Sequence, residues 1–340
     1  MSEPRPPRPK MVDVGRLAGV SAQTVSRFYT GKGYVGAETR ERIESAIAQL
    51  NYQFNGSARN LRVNATRTVG VLTTGPSVYG TWSIVQGLNE AAHDAGYALF
   101  TSWVEFDPAD ASAPGEVHEA LDRFLSARVD GILISSPYPG IEDVLERVWE
   151  TVPVVILSGR AWPSADSAAV DSYEAALLAT RHLTGLGHRR VLHIAGPEQV
   201  IEAQDRERGY RDALAEVRAA PLPVLRGDWS AQSGYDVGAG VDTSSFTAVF
   251  SGNDQMALGF MNALRGRGLV APADYSIAGV DDMPDARHFA PPLTTVWMDF
   301  VELGRVGFRM LAERIATGER VARHVIHPHL VPRESSARLS

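Results

Sequence analysis

The chain has 340 residues, no cysteine, a formal net charge of −7, and a composition that is 44% hydrophobic and 21% charged. That suits an ordinary soluble globular protein of two or three domains and excludes disulfides and thiolate metal or redox sites. No apolar run is long enough to span a bilayer, and the basic, proline-rich start MSEPRPPRPK lacks the apolar core of a signal peptide.

Residues 1–10 read as a disordered basic tail, inert or able to brush phosphates. Residues 1–67 hold eleven Lys/Arg against five Asp/Glu, a balance of +6, so the remainder carries −13. A positive head on an acidic body attracts phosphate through the head alone.

The stretch VDVGRLAGVSAQTVSR, from Val12 to Arg27, reads as two short helices joined by a tight turn. Val14, Leu17, Ala18 and Val25 are its candidate core, Gly19 supplies the turn, and Ser21 is placed to cap the second helix. Ala22, Gln23, Thr24, Ser26 and Arg27 are then left at or near the exposed start of that helix. Gln and Arg presented this way can read base edges in a DNA major groove; the plain alternative is a surface helical hairpin. A third helix from about Glu38 to Leu50 places Ile43, Ala46, Ile47 and Leu50 on one face. The segment NYQFNGSARNLRVNATRT that follows is a polar, basic linker with one conspicuous apolar residue, Leu61.

From Thr68 onward, apolar strands alternate with amphipathic helices. The predicted strands are VGVLTT, YALFTSWV, DGILISS, VPVVILSG, RRVLHIAG, PLPVLRG, TAVFSG, YSIAGVDD and LTTVWMD, with a final strand around Val325 to Val331. Helices are expected on the segment after VGVLTT, near 115–127, near 141–150, and at 173–186, 203–217, 231–240, 253–267 and 301–317. This rhythm implies parallel sheets covered on both faces, and more strands than one sheet holds comfortably. The fold class is therefore a small all-α head followed by an α/β body of two doubly wound lobes, with a ligand cleft beyond the carboxyl ends of the strands.

With the head DVGRLAGVSAQTVSR, the linker NGSARNL, and the blocks LGHRRVLHIAGP, RGDWSAQSGY, SGNDQMALGFMNALRGRGL, SIAGVDDM and PPLTTVWMDF, the chain resembles the lac-repressor (LacI/GalR) family of bacterial transcription regulators over nearly all its length. The resemblance implies a helix-turn-helix domain at 11–54, a hinge at 55–66, and a periplasmic-binding-protein-like effector-binding and dimerisation body at 67–340. Its N-lobe would comprise about 67–169 plus 298–325, and its C-lobe about 170–297 plus 326–340. It implies DNA contacts from Ser21, Ala22, Gln23, Thr24, Ser26 and Arg27. Asn55, Ala58 and Leu61 would belong to a hinge that folds on operator DNA, with Leu61 wedged into the minor groove.

For the effector, the resemblance implies Arg206, Asn253 and Asp281 as polar contacts: Arg a fork of donors, Asp an acceptor, Asn both. Trp229 and Phe300 could stack on a pyranose or be plain core. Thr74, Val78 and Ser158 match loops facing the cleft. Ser158 and Met298 replace polar residues that touch galactoside in a galactoside-responsive member, Gly15 stands where the family has Ala, and Phe54 replaces a Pro. The chain ends soon after Arg333-Glu334-Ser335, without the leucine-heptad helix of tetrameric members.

The expectation is thus a cytoplasmic, nucleoid-associated, homodimeric repressor of carbohydrate-utilisation genes, released from double-stranded palindromic operator DNA by a mono- or disaccharide, a galactoside or related glycoside favoured. The alternative is a regulator of the same family with a purine or other small-molecule corepressor, because Arg and Asp could equally bind a base. A transport-type sugar-binding protein fits less well, since residues 1–67 have no use there. No catalytic constellation, no cofactor and no membrane partner is expected. His324, His327 and His329, and Asp281, Asp282 and Asp285, are not read as metal sites.

Overall fold

The computed structural model describes residues 9–31, 33–52, 65–75, 77–104, 113–135, 148–162 and 165–339, together with Ile141 and Leu145. Asn55, Ala58 and Leu61, the tail up to residue 8 and most of the helix expected near 141–150 lie outside them. The chain divides into two compact units, residues 1–66 and 67–340.

The first unit holds three helices: α1 (Met11–Ala18), α2 (Ala22–Thr30) and α3 (Ala37–Leu50). Gly19 turns the chain in the left-handed region at φ 67°, where only a residue without Cβ is unstrained, and Ser21 Oγ accepts from the Thr24 N–H at 3.2 Å to cap α2. Val14, Ala18, Val25, Ile43, Ala46 and Tyr52 close a small core. Leu17 is not part of it: the side chain is 48% exposed. With Val14, Gly15 and Ala18 turned inward, the 100° helical step puts Leu17 on the flank of α1 rather than its buried stripe.

In the second unit the alternation begins with β1 (Thr68–Thr74), α4 (Tyr79–Asp94), β2 (Ala98–Val104), α5 (Ala113–Ser126), β3 (Gly131–Ser135), β4 (Val154–Leu157) and β5 (Asp166–Val170). It continues with α6 (Ser172–Gly185), β6 (Val191–Ala195), α7 (Ile201–Glu216), β7 (Leu225–Arg226), α8 (Ala231–Gly240), β8 (Ala248–Ser251), α9 (Asp254–Gly266) and β9 (Ser276–Ala278). It ends with β10 (Thr295–Trp297), α10 (Phe300–Thr317), β11 (His324–Ile326) and β12 (His329–Val331).

Two parallel sheets result. One runs β11-β5-β4-β3-β1-β2 and the other β7-β6-β8-β9; β10 and β12 form a separate antiparallel pair. Strand β5 has no counterpart among the predicted strands: its sequence DSAAV is short and small-sided, yet every residue is buried. The single strand expected from Val325 to Val331 is two, with Ile326 ending beside Val170 in the first sheet and His329 opposite Trp297 in the small pair.

The chain crosses between the lobes three times, after β5, after β10 and after β11. Two of these crossings lie side by side, since the Asp171 N–H donates to the Ile326 carbonyl at 3.0 Å. Helices α4 and α10 pack so closely that a Cβ on Gly87 would collide with the Val301 carbonyl, and one on Gly304 with that of Ile84. Such an approach needs hydrogen in place of a side chain.

Candidate DNA interface and ligand cleft

On α2, Gln23 and Arg27 are exposed and, four residues apart, share a face. Ala22, Thr24 and Ser26 beside them are partly exposed, while Val25 turns inward to the core. Ser21 Oγ and Thr24 Oγ1 are 3.0 Å apart, and no acidic residue occupies the first turn. This end of the helix therefore offers unopposed N–H dipoles to an anion.

In the body, an open cavity lies where strands of the two sheets end. Val78, Ser158, Arg206, Trp229, Asn253, Asp281, Met298 and Phe300 line it, so residues from 78 to 300 in the chain converge. Thr74 does not: it is the last residue of β1 and buried within the lobe.

The polar side is built on backbone ends. Asp281 follows β9 at φ 120°, and its N–H donates to the Val296 carbonyl at 2.9 Å. Its carboxylate stands 3.8 Å from Arg206 Nη2, both side chains being under one-tenth exposed. Burial pushes the Asp281 carboxyl up to about 7, and Arg206 pulls against that. Asp254 behind it is raised well above its ordinary value by burial and by Asp281, although it accepts from Thr295 Oγ1 at 2.6 Å and from the Met283 N–H at 3.0 Å.

Arg206 donates through Nη1 to the Gly252 carbonyl at 2.5 Å and lies over the Trp229 ring, its Cζ 5.2 Å from the centroid. That cation–π contact occupies a face of the indole, which is only 7% exposed and packs on Gly196 and Gly252. Trp229 is thus chiefly a support for Arg206. Asn253 caps α9 by accepting from the Met256 N–H at 2.9 Å and donates to the Trp229 carbonyl at 2.9 Å, which leaves little of its amide for a ligand.

The lining also includes the apolar side chains of Val78, Ile84, Leu157, Met298, Phe300 and Leu303. Sequence reasoning missed Thr81, Ser172 and above all Glu202, each of which also lines the cavity. Glu202 sits one turn before Arg206 on α7, and its Oε1 accepts from the Gly159 N–H at 3.3 Å across the cleft. The four-residue spacing to Arg206 was the signal available.

The three C-terminal histidines do not cluster. His327 Nδ1 meets Glu174 Oε2 at 2.6 Å, with Asp171 close by, while His329 lies on the Trp297 ring. Asp282 pairs with Arg333 at 2.6 Å, which ties the closing RES segment to the body.

A helix-turn-helix head with a two-lobed body around a cleft defines a ligand-responsive DNA-binding regulator. Residues 10–55 match the model of bacterial regulatory proteins of the lacI family, and residues 180–336 that of a periplasmic binding protein-like domain. The HTH-type transcriptional repressor PurR of Haemophilus influenzae is 34% identical over 95% of this chain and 97% of its own. The lactose operon repressor of Escherichia coli is 32% identical over 96% of this chain and 90% of its own. The crystal structure of the lac repressor dimer bound to operator and the anti-inducer ONPF superposes with a TM-score of 0.88 at 31% identity, over 97% of this chain and all of that one. The chain belongs to the lacI family and is a DNA-binding transcriptional repressor of it. No described helix is long and apolar enough to cross a membrane.

Proposed function

We propose that the cleft holds a small, flat ring with polar atoms along one edge, a purine base acting as corepressor, and that its occupancy sets the grip of two paired heads on a palindromic operator. The observation that carries this reading is the small number of charges in a largely apolar lining. Arg206, Asp281 and Glu202 stand among Val78, Ile84, Leu157, Met298, Phe300 and Leu303, with Thr81, Ser158 and Ser172 as small hydroxyls beside them. A ring whose hydroxyls radiate in all directions would leave several of them unpaired against Ile84, Leu157, Met298 and Leu303, at a cost of about 1–3 kcal/mol each. A flat heterocycle leaves none there. The relatives bearing the name PurR, at 34% identity, stand at least as near as the lactose operon repressor at 32%.

A second reading, a mono- or disaccharide inducer, draws on Trp229 and Phe300 at the cavity wall and on the superposition with the lac repressor. Both readings use Ala22, Gln23 and Arg27 as base readers and Ser21, Thr24 and Ser26 as phosphate or base-edge contacts, with the hinge residues Asn55, Ala58 and Leu61 ordering on DNA. Both take the protein to be a homodimer working in the cytoplasm.

The test is a gel-shift titration with operator DNA selected from a random palindromic pool. A corepressor tightens the complex and an inducer loosens it, because each ligand favours the lobe arrangement that it binds better. Tightening by hypoxanthine or guanine supports the first reading. Loosening by a galactoside with no effect of either base replaces it with the second.

A further inference from the structure

We propose that Asp171, Glu174 and His327 bind a divalent transition-metal ion, zinc fitting best, and that the ion fastens together two of the three crossings between the lobes.

Among the described residues, these three are the one group of His, Cys, Asp or Glu side chains whose donor atoms all lie within 4.8 Å of one another. They come from two distant parts of the chain. Asp171 follows β5 as the N-cap of α6, Glu174 stands in the first turn of that helix, and His327 follows β11. Backbone fixes their approach: β11 pairs with β5, and the Asp171 N–H donates to the Ile326 carbonyl at 3.0 Å. The cap orients the Asp171 side chain too, since its Oδ1 accepts from the Glu174 N–H at 2.9 Å, which leaves Oδ2 to an ion.

The donor set selects the metal. Two carboxylates beside a neutral imidazole carry two negative charges, which a dication offsets. An imidazole nitrogen suits zinc and its transition-metal neighbours, whereas magnesium and calcium take oxygen ligands. Around tetrahedral zinc, donor atoms stand about 3.4 Å apart. His327 Nδ1 and Glu174 Oε2 are closer, at 2.6 Å, because they share a proton. An ion in place of that proton parts them by less than an ångström. His327 is exposed and Glu174 partly so, which makes that movement cheap. The neighbouring guanidinium of Arg208, over the Tyr173 ring, is engaged by Asp205 at 2.9 Å and does not take the cation's place. Three protein ligands leave a fourth position for water. His329 lies on the Trp297 ring and His324 within β11, so neither belongs to the triad.

Helix α6 opens one lobe, whereas β11 ends in the sheet of the other. An ion held between them stabilises only the folded body, in which these segments meet.

The experiment is calorimetric titration of the full, EDTA-treated chain with zinc chloride, paired with differential scanning calorimetry with and without zinc. The unaltered protein should bind one zinc per chain, and its body should melt later when zinc is present. His327→Ala and Glu174→Gln should each weaken binding about tenfold or more and remove the rise in melting temperature. Glutamine keeps the shape and an acceptor for His327, so the loss reports the charge rather than the fold. His324→Ala should bind zinc as the unaltered protein does. No zinc binding, undiminished binding by His327→Ala or Glu174→Gln, an equal loss in His324→Ala, or magnesium binding as tight as zinc each overturns the site.

Discussion

Arg206 and Asp281 face each other across 3.8 Å, each less than one-tenth exposed, on the wall of a cavity open to solvent. A buried pair of this kind adds little net stability, but removal of one partner strands the other charge. Arg206→Ala should therefore destabilise the body by about 3–5 kcal/mol, and Asp281→Asn in the same chain should restore much of that. A double-mutant cycle on urea midpoints measures it. Additive effects of the two substitutions would refute the coupling.

Stability should depend on pH in opposite senses through Asp281 and His193. Asp281, at about 7 when folded against an ordinary 3.8, takes up a proton on folding between those values. Its contribution to stability thus grows as the pH falls through 7. His193, fully buried and pushed down to about 4, is held neutral while the unfolded chain protonates near 6.5, so its contribution is lost as the pH falls through 6.5. The difference in melting temperature between the unaltered protein and Asp281→Asn should shift in favour of the unaltered protein from pH 8 to pH 5. The same difference against His193→Phe should shift the other way. Parallel profiles would show that neither group titrates as its burial requires.

Gln23 and Arg27 share the exposed face of α2 behind a capped N-terminus. Alanine at either should reduce discrimination between operator and random DNA by about 1–3 kcal/mol. Fluorescence anisotropy across a salt series separates the roles: a base reader lowers specific affinity most, whereas a phosphate contact weakens both alike and flattens the salt slope by about one.

Gly87 and Gly304 let α4 and α10 touch backbone to backbone. Gly87→Ala drives a methyl into the Val301 carbonyl and should cost about 1–3 kcal/mol. Differential scanning calorimetry should show the body melting earlier while the melting of residues 1–66 stays unchanged, as expected of a separate compact unit.

Much was legible from local pattern. The head could be read because Gly19, Ser21 and the apolar spacing act within a dozen residues, and the turn and the cap form as those residue types dictate. The alternation of apolar runs with amphipathic helices sufficed for two parallel sheets, since only strands covered on both faces read as unbroken apolar runs. Eight of the nine residues expected at the effector site line one cavity, but what they do there is less uniform. Asn253 is largely a helix cap and Trp229 largely a bed for Arg206.

The sequence by itself determined what each segment could bury: periodicity reports which face is apolar, and turn residues report where a segment ends. Only the tertiary structure decided which segments meet. It buried small-sided DSAAV as β5 by flanking it with β4 and β11, and it split the last apolar run between two sheets. It left Leu17 in solvent, kept Thr74 inside its lobe, and set Glu202 beside Gly159 and Arg206 on a cavity wall. The physical reason is distance along the chain. The contacts that make the cleft join residues separated by tens to more than two hundred positions, and a local pattern carries no information about which distant surface will cover it.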